Sequence, residues 1–237
     1  MSTETTHRNA ALDSGAVLPN AKIYDLLACS PLTLWYGICL MQQAPDLAHG
    51  MARLVAAQSG ILPAIDVFSK LAVFLFAALL ILMLVARRPA TAKAQGMFPR
   101  AAAFFGAYLG VGILTLPRHP VNWELSTLST VLILGGMSFA LWGLLWLGRS
   151  ISIMSEARRL VVNGPYAFVR HPLYLGEEMA IIGVALQYIS PIAVVLLVLQ
   201  FMFQLRRMGY EEEILAETFP EYPAYMKRTA RLIPGIY

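Results

Sequence analysis

Five long stretches without a charged side chain constrain this chain more than any other feature. Twenty uncharged residues lie between Asp25 and Asp46, 16 between Lys70 and Arg87, and 17 between Arg100 and Arg118. A further 24 separate Glu124 from Arg149, and 27 separate Glu178 from Arg206. A helix needs about 20 mostly apolar residues to cross a bilayer. Five stretches near that length are more apolar surface than a water-soluble domain of 237 residues can hide. Composition agrees: 58% of residues are hydrophobic and 14% charged, against about 25% charged in average globular chains. A soluble enzyme and a disordered chain are both excluded, and an integral membrane protein is expected. The net charge of +4 then belongs at a lipid surface and does not argue for nucleic acid.

The last stretch reads either as one kinked helix or as a hairpin of two. Charge counting decides. A hairpin over 172–190 and 191–208 gives about six membrane segments with both termini cytoplasmic, and places 15 of the 18 Lys and Arg residues inside. A single span would put the basic C-terminal tail outside, against the positive-inside rule. Ser190-Pro191 is also a natural turn initiator. Three segments follow: a polar tail over 1–24, transmembrane helices over 25–147, and a core over 148–237. The first 24 residues lack a compact apolar stretch behind a basic start, so no signal peptide is expected. Residues 47–64 are mildly apolar and read as a surface or re-entrant piece. Gly110 and Gly112, inside the third span, read as close helix packing and not as a nucleotide fingerprint. The two cysteines, Cys29 and Cys39, form neither a disulfide framework nor a metal site, and no metal is expected.

Polar residues concentrate in two blocks, Arg158–Glu178 and Arg206–Arg231. The hairpin joins them, so both meet at the cytoplasmic membrane face, where a charged ligand can be held. In the first block Asn163-Gly164-Pro165 is a turn and Pro172 opens a helix. Arg170 and His171 precede that helix, beside its free N–H groups, in an anion-binding arrangement. Of Glu177 and Glu178, a turn further in, one is expected to face lipid headgroups and the other the protein. In the second block Met208, Glu212, Leu215 and Phe219 form one helical stripe. Glu212 is its one ionisable member and is expected to point inward. Glu211, four residues after Arg207, reads as a surface ion pair, and Glu213 faces away from both. Arg158 and Arg159 read as surface anchors.

Gly164-Pro165-Tyr166, Val169-Arg170-His171-Pro172, Tyr174 and Gly176, followed by a hairpin and by Glu211-Glu212 with Leu215 and Phe219, resemble the membrane methyltransferases of the isoprenylcysteine carboxyl methyltransferase and phospholipid N-methyltransferase superfamily. The ending Arg231-Leu232-Ile233-Pro234 is similar too, and the resemblance covers roughly residues 145–237. Phe219-Pro220 departs from the Phe-Gly common in relatives. The resemblance implies an all-α, non-Rossmann, polytopic membrane enzyme with a cytoplasmic C-terminal helix. It also implies S-adenosylmethionine as cofactor, bound by Arg170, His171, Tyr174, Gly176, Glu211 and Glu212, with Arg170 and Glu212 as the catalytic pair. Tyr166 and Glu177 are the expected acceptor contacts. The cofactor's carboxylate suits a basic helix start, its cationic groups a buried Glu, and its adenine an aromatic wall; Gly176 would allow close backbone approach.

The implied reaction moves a methyl group to a lipid-like acceptor whose tail enters between the hairpin and the fourth span. A carboxylate acceptor would need a cation such as Arg170 and no base, whereas an amine would need a carboxylate or His to take a proton. Both residue types are present, so the acceptor stays open. A transporter, or a non-catalytic lipid-binding subunit, is the competing class; span interiors nearly free of ionisable groups weigh against transport. The expected location is multi-pass, in the inner (plasma) membrane if the source is bacterial.

Overall fold

The computed structural model describes residues 19–56, 60–88, 90–152 and 156–235, with side chains described from residue 30 onward. The polar tail up to residue 18 and the Cys29 side chain lie outside the described residues. Seven α-helices make up the described fold: α1 (Pro19–Val55), α2 (Ile61–Ala86), α3 (Met97–Ile113), α4 (Trp123–Leu147), α5 (Pro172–Ala185), α6 (Pro191–Thr218) and α7 (Tyr222–Arg228). Two 2-residue strands, β1 (Ala92–Lys93) and β2 (Glu156–Ala157), pair antiparallel, Ala92 facing Ala157 and Lys93 facing Glu156.

Three helices, α2, α4 and α6, are long and apolar enough among the described residues to cross a membrane; α3 is an apolar helix of 17 residues. Leu34, Leu82, Phe104, Leu145 and Val194 point outward and are exposed. A belt of large apolar side chains facing outward is stable only where the surrounding solvent is lipid. The protein is therefore an all-α membrane protein.

Local chemistry explains the element boundaries. Asn122 caps α4 by accepting the Leu125 N–H at 3.0 Å, and Ser190 caps α6 by accepting the Ala193 N–H at 3.1 Å. Pro191 occupies the first turn of α6, where its missing N–H costs nothing. The hairpin expected at residue 191 is present.

Two expectations need correction. The first span does not end near Asp46: α1 runs 37 residues, through Pro31 and Pro45 to Val55, so residues 47–55 belong to it and are not a separate surface piece. Helix α2 begins at Ile61, ahead of Asp66 and Lys70, which pair with each other at 2.8 Å along its surface. The 14 residues of α5 rise about 21 Å, short of the roughly 30 Å apolar thickness of a bilayer. The segment read as a full span over 172–190 is a half-length helix.

The two arms of the hairpin pack mainly on other helices, α5 on α4 and α6 on α3. Glycines set the first contact. A Cβ on Gly176 would lie 2.5 Å from the Gly136 carbonyl oxygen and the Ala140 nitrogen, and one on Gly183 would lie 2.8 Å from the Ser129 carbonyl oxygen. Small residues let membrane helices meet backbone to backbone. Gly110 packs against Ile181 in the same manner, as its spacing in the sequence implied.

Candidate functional site

The start of α5, the middle of α6 and the C-terminal segment are stitched together at one end of the bundle. Gly164 makes the preceding turn at φ +63°, a conformation natural to glycine, and any Cβ there would collide with the Trp146 indole. After that turn the chain extends. Val169 bridges Ala230, the Arg170 N–H donates to the Ala230 carbonyl at 2.8 Å, and the His171 N–H donates to the Arg231 carbonyl at 3.2 Å. Pro172 then begins α5.

Glu212 sits at the centre of this junction, 7% exposed. One carboxylate oxygen accepts from Arg170 Nε at 2.8 Å and lies 3.0 Å from His171 Nε2; the other lies 3.2 Å from Arg231 Nε. Arg170 also donates through Nη1 to the carbonyls of Met226 and Thr229, at 2.9 and 2.6 Å. The inward direction expected of Glu212 is present. Its partners are the Arg170 and Arg231 guanidinium groups and the His171 imidazole, and Arg170 directs Nε and Nη1 to protein acceptors. Glu213 is exposed.

Glu211 behaves differently. It accepts the Tyr174 hydroxyl hydrogen and lies 3.2 Å from Arg207 Nε. Arg207 is buried and its guanidinium stands 4.9 Å from the Tyr174 ring centre. The Arg207–Glu211 pair is therefore an interior pair, correcting the surface reading that i,i+4 spacing alone suggested. The other face of Tyr174 stacks on His171, with centroids 5.5 Å apart.

Against these residues lies a polar cavity of about 100 Å³, whose walls include Tyr166, Arg170, His171, Tyr174, Glu211, Tyr222 and Tyr225. Arg158 is part of the same wall, buried and paired with Glu156, which corrects its reading as a surface anchor; Arg159 is exposed. Burial pushes the phenols of Tyr166 and Tyr222 far above the ordinary tyrosine range, and that of Tyr225 up to about 12. All three are protonated donors at neutral pH. Tyr225 uses its hydrogen on the Tyr166 carbonyl at 2.6 Å. Gly176 is absent from this wall: its side faces α4, where it lets the two helices meet.

A second cavity, about 270 Å³, opens beside the first and shares Ser152, Leu173 and Tyr174 with it. It is a chamber among the helices, lined by apolar residues of α1, α2, α3, α4 and α5 such as Leu32, Phe76, Val111, Met137 and Ile181. Glu177, Tyr36, Cys39, Gln200 and Arg207 are polar points in its wall. Glu177 thus faces the chamber, and Glu178 is buried against Gln200 at 2.8 Å. Tyr36, Cys39 and Gln200 carried no functional signal in the sequence, since each lies alone in an apolar run. Among the described residues no cluster of three or more potential metal ligands occurs.

A charge-lined cavity and a mainly apolar chamber thus lie side by side, sharing Ser152, Leu173 and Tyr174. Residues 125–222 match the phospholipid methyltransferase family. The chain is 33% identical over 132 residues to the nickel-cobalt-cadmium resistance protein NccN of Alcaligenes xylosoxydans xylosoxydans, covering 54% of this chain and 62% of that one. It is 33% identical over 119 residues to the cobalt-zinc-cadmium resistance protein CzcN of Cupriavidus metallidurans, covering 48% and 55%. It is 28% identical over 131 residues to protein-S-isoprenylcysteine O-methyltransferase B of Arabidopsis thaliana, covering 52% and 66%. The matched part spans between about half and two thirds of these curated relatives. Over residues 125–222 the chain is thus similar to phospholipid methyltransferases, and over about half of its length to an isoprenylcysteine O-methyltransferase.

Proposed function

We propose that this protein is an S-adenosylmethionine-dependent methyltransferase acting on a lipid-like acceptor at the cytoplasmic membrane face. The observation that carries this reading is the shared wall of the two cavities: Tyr174 and Leu173 separate a polar compartment from an apolar one, as transfer between a water-soluble donor and a membrane-borne acceptor requires. The distribution of basic residues supports the cytoplasmic side.

The polar wall fits the donor by chemistry. Glu211 supplies an acid for a cationic group, His171 and the start of α5 supply donors for a carboxylate, and Tyr166, Tyr222 and Tyr225 supply aromatic surface for a base. When bound, the cofactor supplies an electrophilic methyl on sulfur. The chain's own residues position the partners and exclude water. Arg170, His171, Glu212 and Arg231 fix the geometry of the wall, Glu211 and Tyr174 face the donor side, and Glu177 faces the acceptor side. Displacement at a methyl sulfonium needs no proton on the leaving sulfide, so positioning is the larger part of the work. Calorimetry of S-adenosylmethionine on the detergent-solubilised protein, with methyl-tritium labelling of membrane lipids with and without the gene, tests this. Absence of both cofactor binding and gene-dependent label would overturn it.

A further inference from the structure

A third cavity, of about 290 Å³, lies on the outside of α6 and shares no wall residue with the other two. Leu205, Arg206, Gly209, Tyr210 and Glu213 of α6 form it together with Arg231 of the C-terminal segment. At about 100° of turn per residue, Arg206, Gly209 and Glu213 fall on one face of α6. Gln200 and Arg207, which line the apolar chamber, fall on nearly the opposite face. Gly209 gives Arg231 its place. A Cβ there would lie 3.5 Å from Arg231 Nη2, so this guanidinium rests over bare helix backbone, while its Nε lies 3.2 Å from Glu212 on the inner side. Arg206 is exposed. Two guanidinium groups and a phenol thus line one cavity beside a single carboxylate, Glu213.

The face of α6 that leads to this cavity is apolar. Val195, Val198 and Met202 precede Arg206 on the same stripe, and all three are exposed. From Val195 to Arg206 the helix rises about 16 Å, close to half of the roughly 30 Å apolar thickness of a bilayer. The stripe is therefore one leaflet long and ends on two arginines, which matches an acyl chain followed by a phosphate. The planar fork of arginine binds phosphate through two parallel hydrogen bonds, and tyrosine is at home at headgroup depth. A soluble phosphate ester would leave the stripe unused. We propose that this cavity holds the phosphate of an anionic phospholipid from the leaflet that meets this end of the bundle, with an acyl chain along Val195, Val198 and Met202. This lipid is neither methyl donor nor methyl acceptor, so its site stands or falls apart from the methyl-transfer reading. The two arginines outnumber Glu213, which gives the site its preference for a net negative headgroup, and Glu213 weakens that preference.

The test titrates the full-length protein, in a non-ionic detergent, with phosphatidylglycerol, with phosphatidylcholine of the same acyl chains, or with glycerol 3-phosphate. Native mass spectrometry measures bound lipid, and thermal unfolding reports the stabilisation that binding confers. Phosphatidylglycerol should bind about tenfold more tightly than phosphatidylcholine, and an equal concentration of glycerol 3-phosphate should not displace it. Arg206→Gln should weaken phosphatidylglycerol about tenfold, the lower end for loss of a charge-assisted hydrogen bond. Gly209→Leu keeps every charge but fills the cavity, and should weaken it at least as much. Glu213→Gln should tighten it. Lys227→Gln removes an exposed charge of α7 outside the cavity and should leave the affinity as it was. Unfolding temperatures without lipid show that each variant is folded. Equal losses in R206Q and K227Q, or wild-type affinity in G209L, would reduce the effect to general surface charge and overturn the proposal. Equal binding of the two lipids would overturn the anionic headgroup. Displacement by glycerol 3-phosphate would make this a site for soluble phosphate esters and overturn the lipid.

Discussion

The polar cavity and the apolar chamber meet at Ser152, Leu173 and Tyr174, yet different forces hold them open. The polar cavity is held by charge. Two arginines and the His171 imidazole converge on the single carboxylate of Glu212, and two backbone carbonyls accept from Arg170 Nη1. The chamber is held by shape: glycines at 106 and 110 on α3 leave room, and Phe76, Met137 and Ile181 fill around it. An electrostatic frame fails all at once when its central charge is removed, whereas an apolar wall yields by degrees as side chains rearrange. The two compartments should therefore be separable by mutation, one through cofactor affinity and stability, the other through acceptor affinity.

The largest effect is expected at Glu212. Glu212→Ala leaves Arg170, His171 and Arg231 facing one another without their shared counter-charge. Removing one member of a buried ion pair costs about 3–5 kcal/mol, and thermal unfolding in detergent should report a loss of that order. The exposed Glu213→Ala should stay within about 0.5 kcal/mol. Equal stability of the two variants would show that charge does not hold the polar cavity.

Glu211 tests the ligand face of the same cavity. Glu211→Gln still accepts the Tyr174 hydroxyl but has no charge for a cationic ligand group. S-adenosylmethionine should bind more weakly by about 1.5–3 kcal/mol, a factor of roughly ten to a hundred, with acceptor affinity unchanged. Titration calorimetry on the solubilised variant measures it. Unchanged cofactor affinity would move the cation site away from Glu211.

Gly110 sharpens the chamber side. A Cβ there would press on the Cδ1 of Ile181, the mobile end of a flexible side chain that lines the chamber. Gly110→Ala should displace Ile181 and narrow the space, weakening an alkyl-chain ligand by about 1 kcal/mol, roughly fivefold, while cofactor affinity holds. Equal losses for both ligands would mean that the compartments are mechanically one.

The same contrast explains what could be read in the sequence. The polar cavity is built from short-range rules: a Gly-Pro turn, a proline at a helix start, an acid on an apolar stripe. These locate Arg170, His171 and Glu212 at one end of the hairpin, whereas Tyr166, Tyr174 and Glu211 are marked there by the family resemblance. What those rules could not assign was which glutamate faces which partner. Arg231, which neutralises Glu212, is 19 residues away in an extended segment, and its approach depends on the Val169–Ala230 bridge. The i,i+4 spacing of Arg207 and Glu211 implied a surface pair because it contains no information about depth. The chamber was illegible for a different reason. Its walls come from six helices whose apolar residues look alike, and Tyr36, Cys39 and Gln200 acquire meaning only when α1, α3 and α6 converge. Gly176 was read beside the cofactor because it follows Tyr174 in the motif, but the helical turn carries it round to face α4.

The smallest effect expected on the polar side is at Tyr225, and its dependence on pH identifies it. The phenol is 3% exposed and donates to the Tyr166 carbonyl at 2.6 Å. Burial raises its pKa from the ordinary tyrosine value of 10.0 to about 12, with the nearby Arg170 and Arg228 charges pulling partly the other way. The folded state thus holds this proton more tightly than the unfolded state does. Its contribution to stability is fully present below pH 10 and is lost as pH rises toward 12. Tyr225→Phe removes one hydrogen bond, which should cost about 1 kcal/mol at neutral pH, and removes the titrating group. The variant should be slightly less stable than wild type at pH 8, and the gap should shrink as pH climbs above 10, because wild type loses what the variant never had. Burial disfavours the phenolates of Tyr166 and Tyr222 as well, so both proteins should still weaken in strong alkali. Paired thermal unfolding curves between pH 8 and pH 11 measure the difference directly. A gap that widens with pH would place the Tyr225 proton in a site that prefers the phenolate, and would reverse the electrostatic sign assigned to this wall of the cavity.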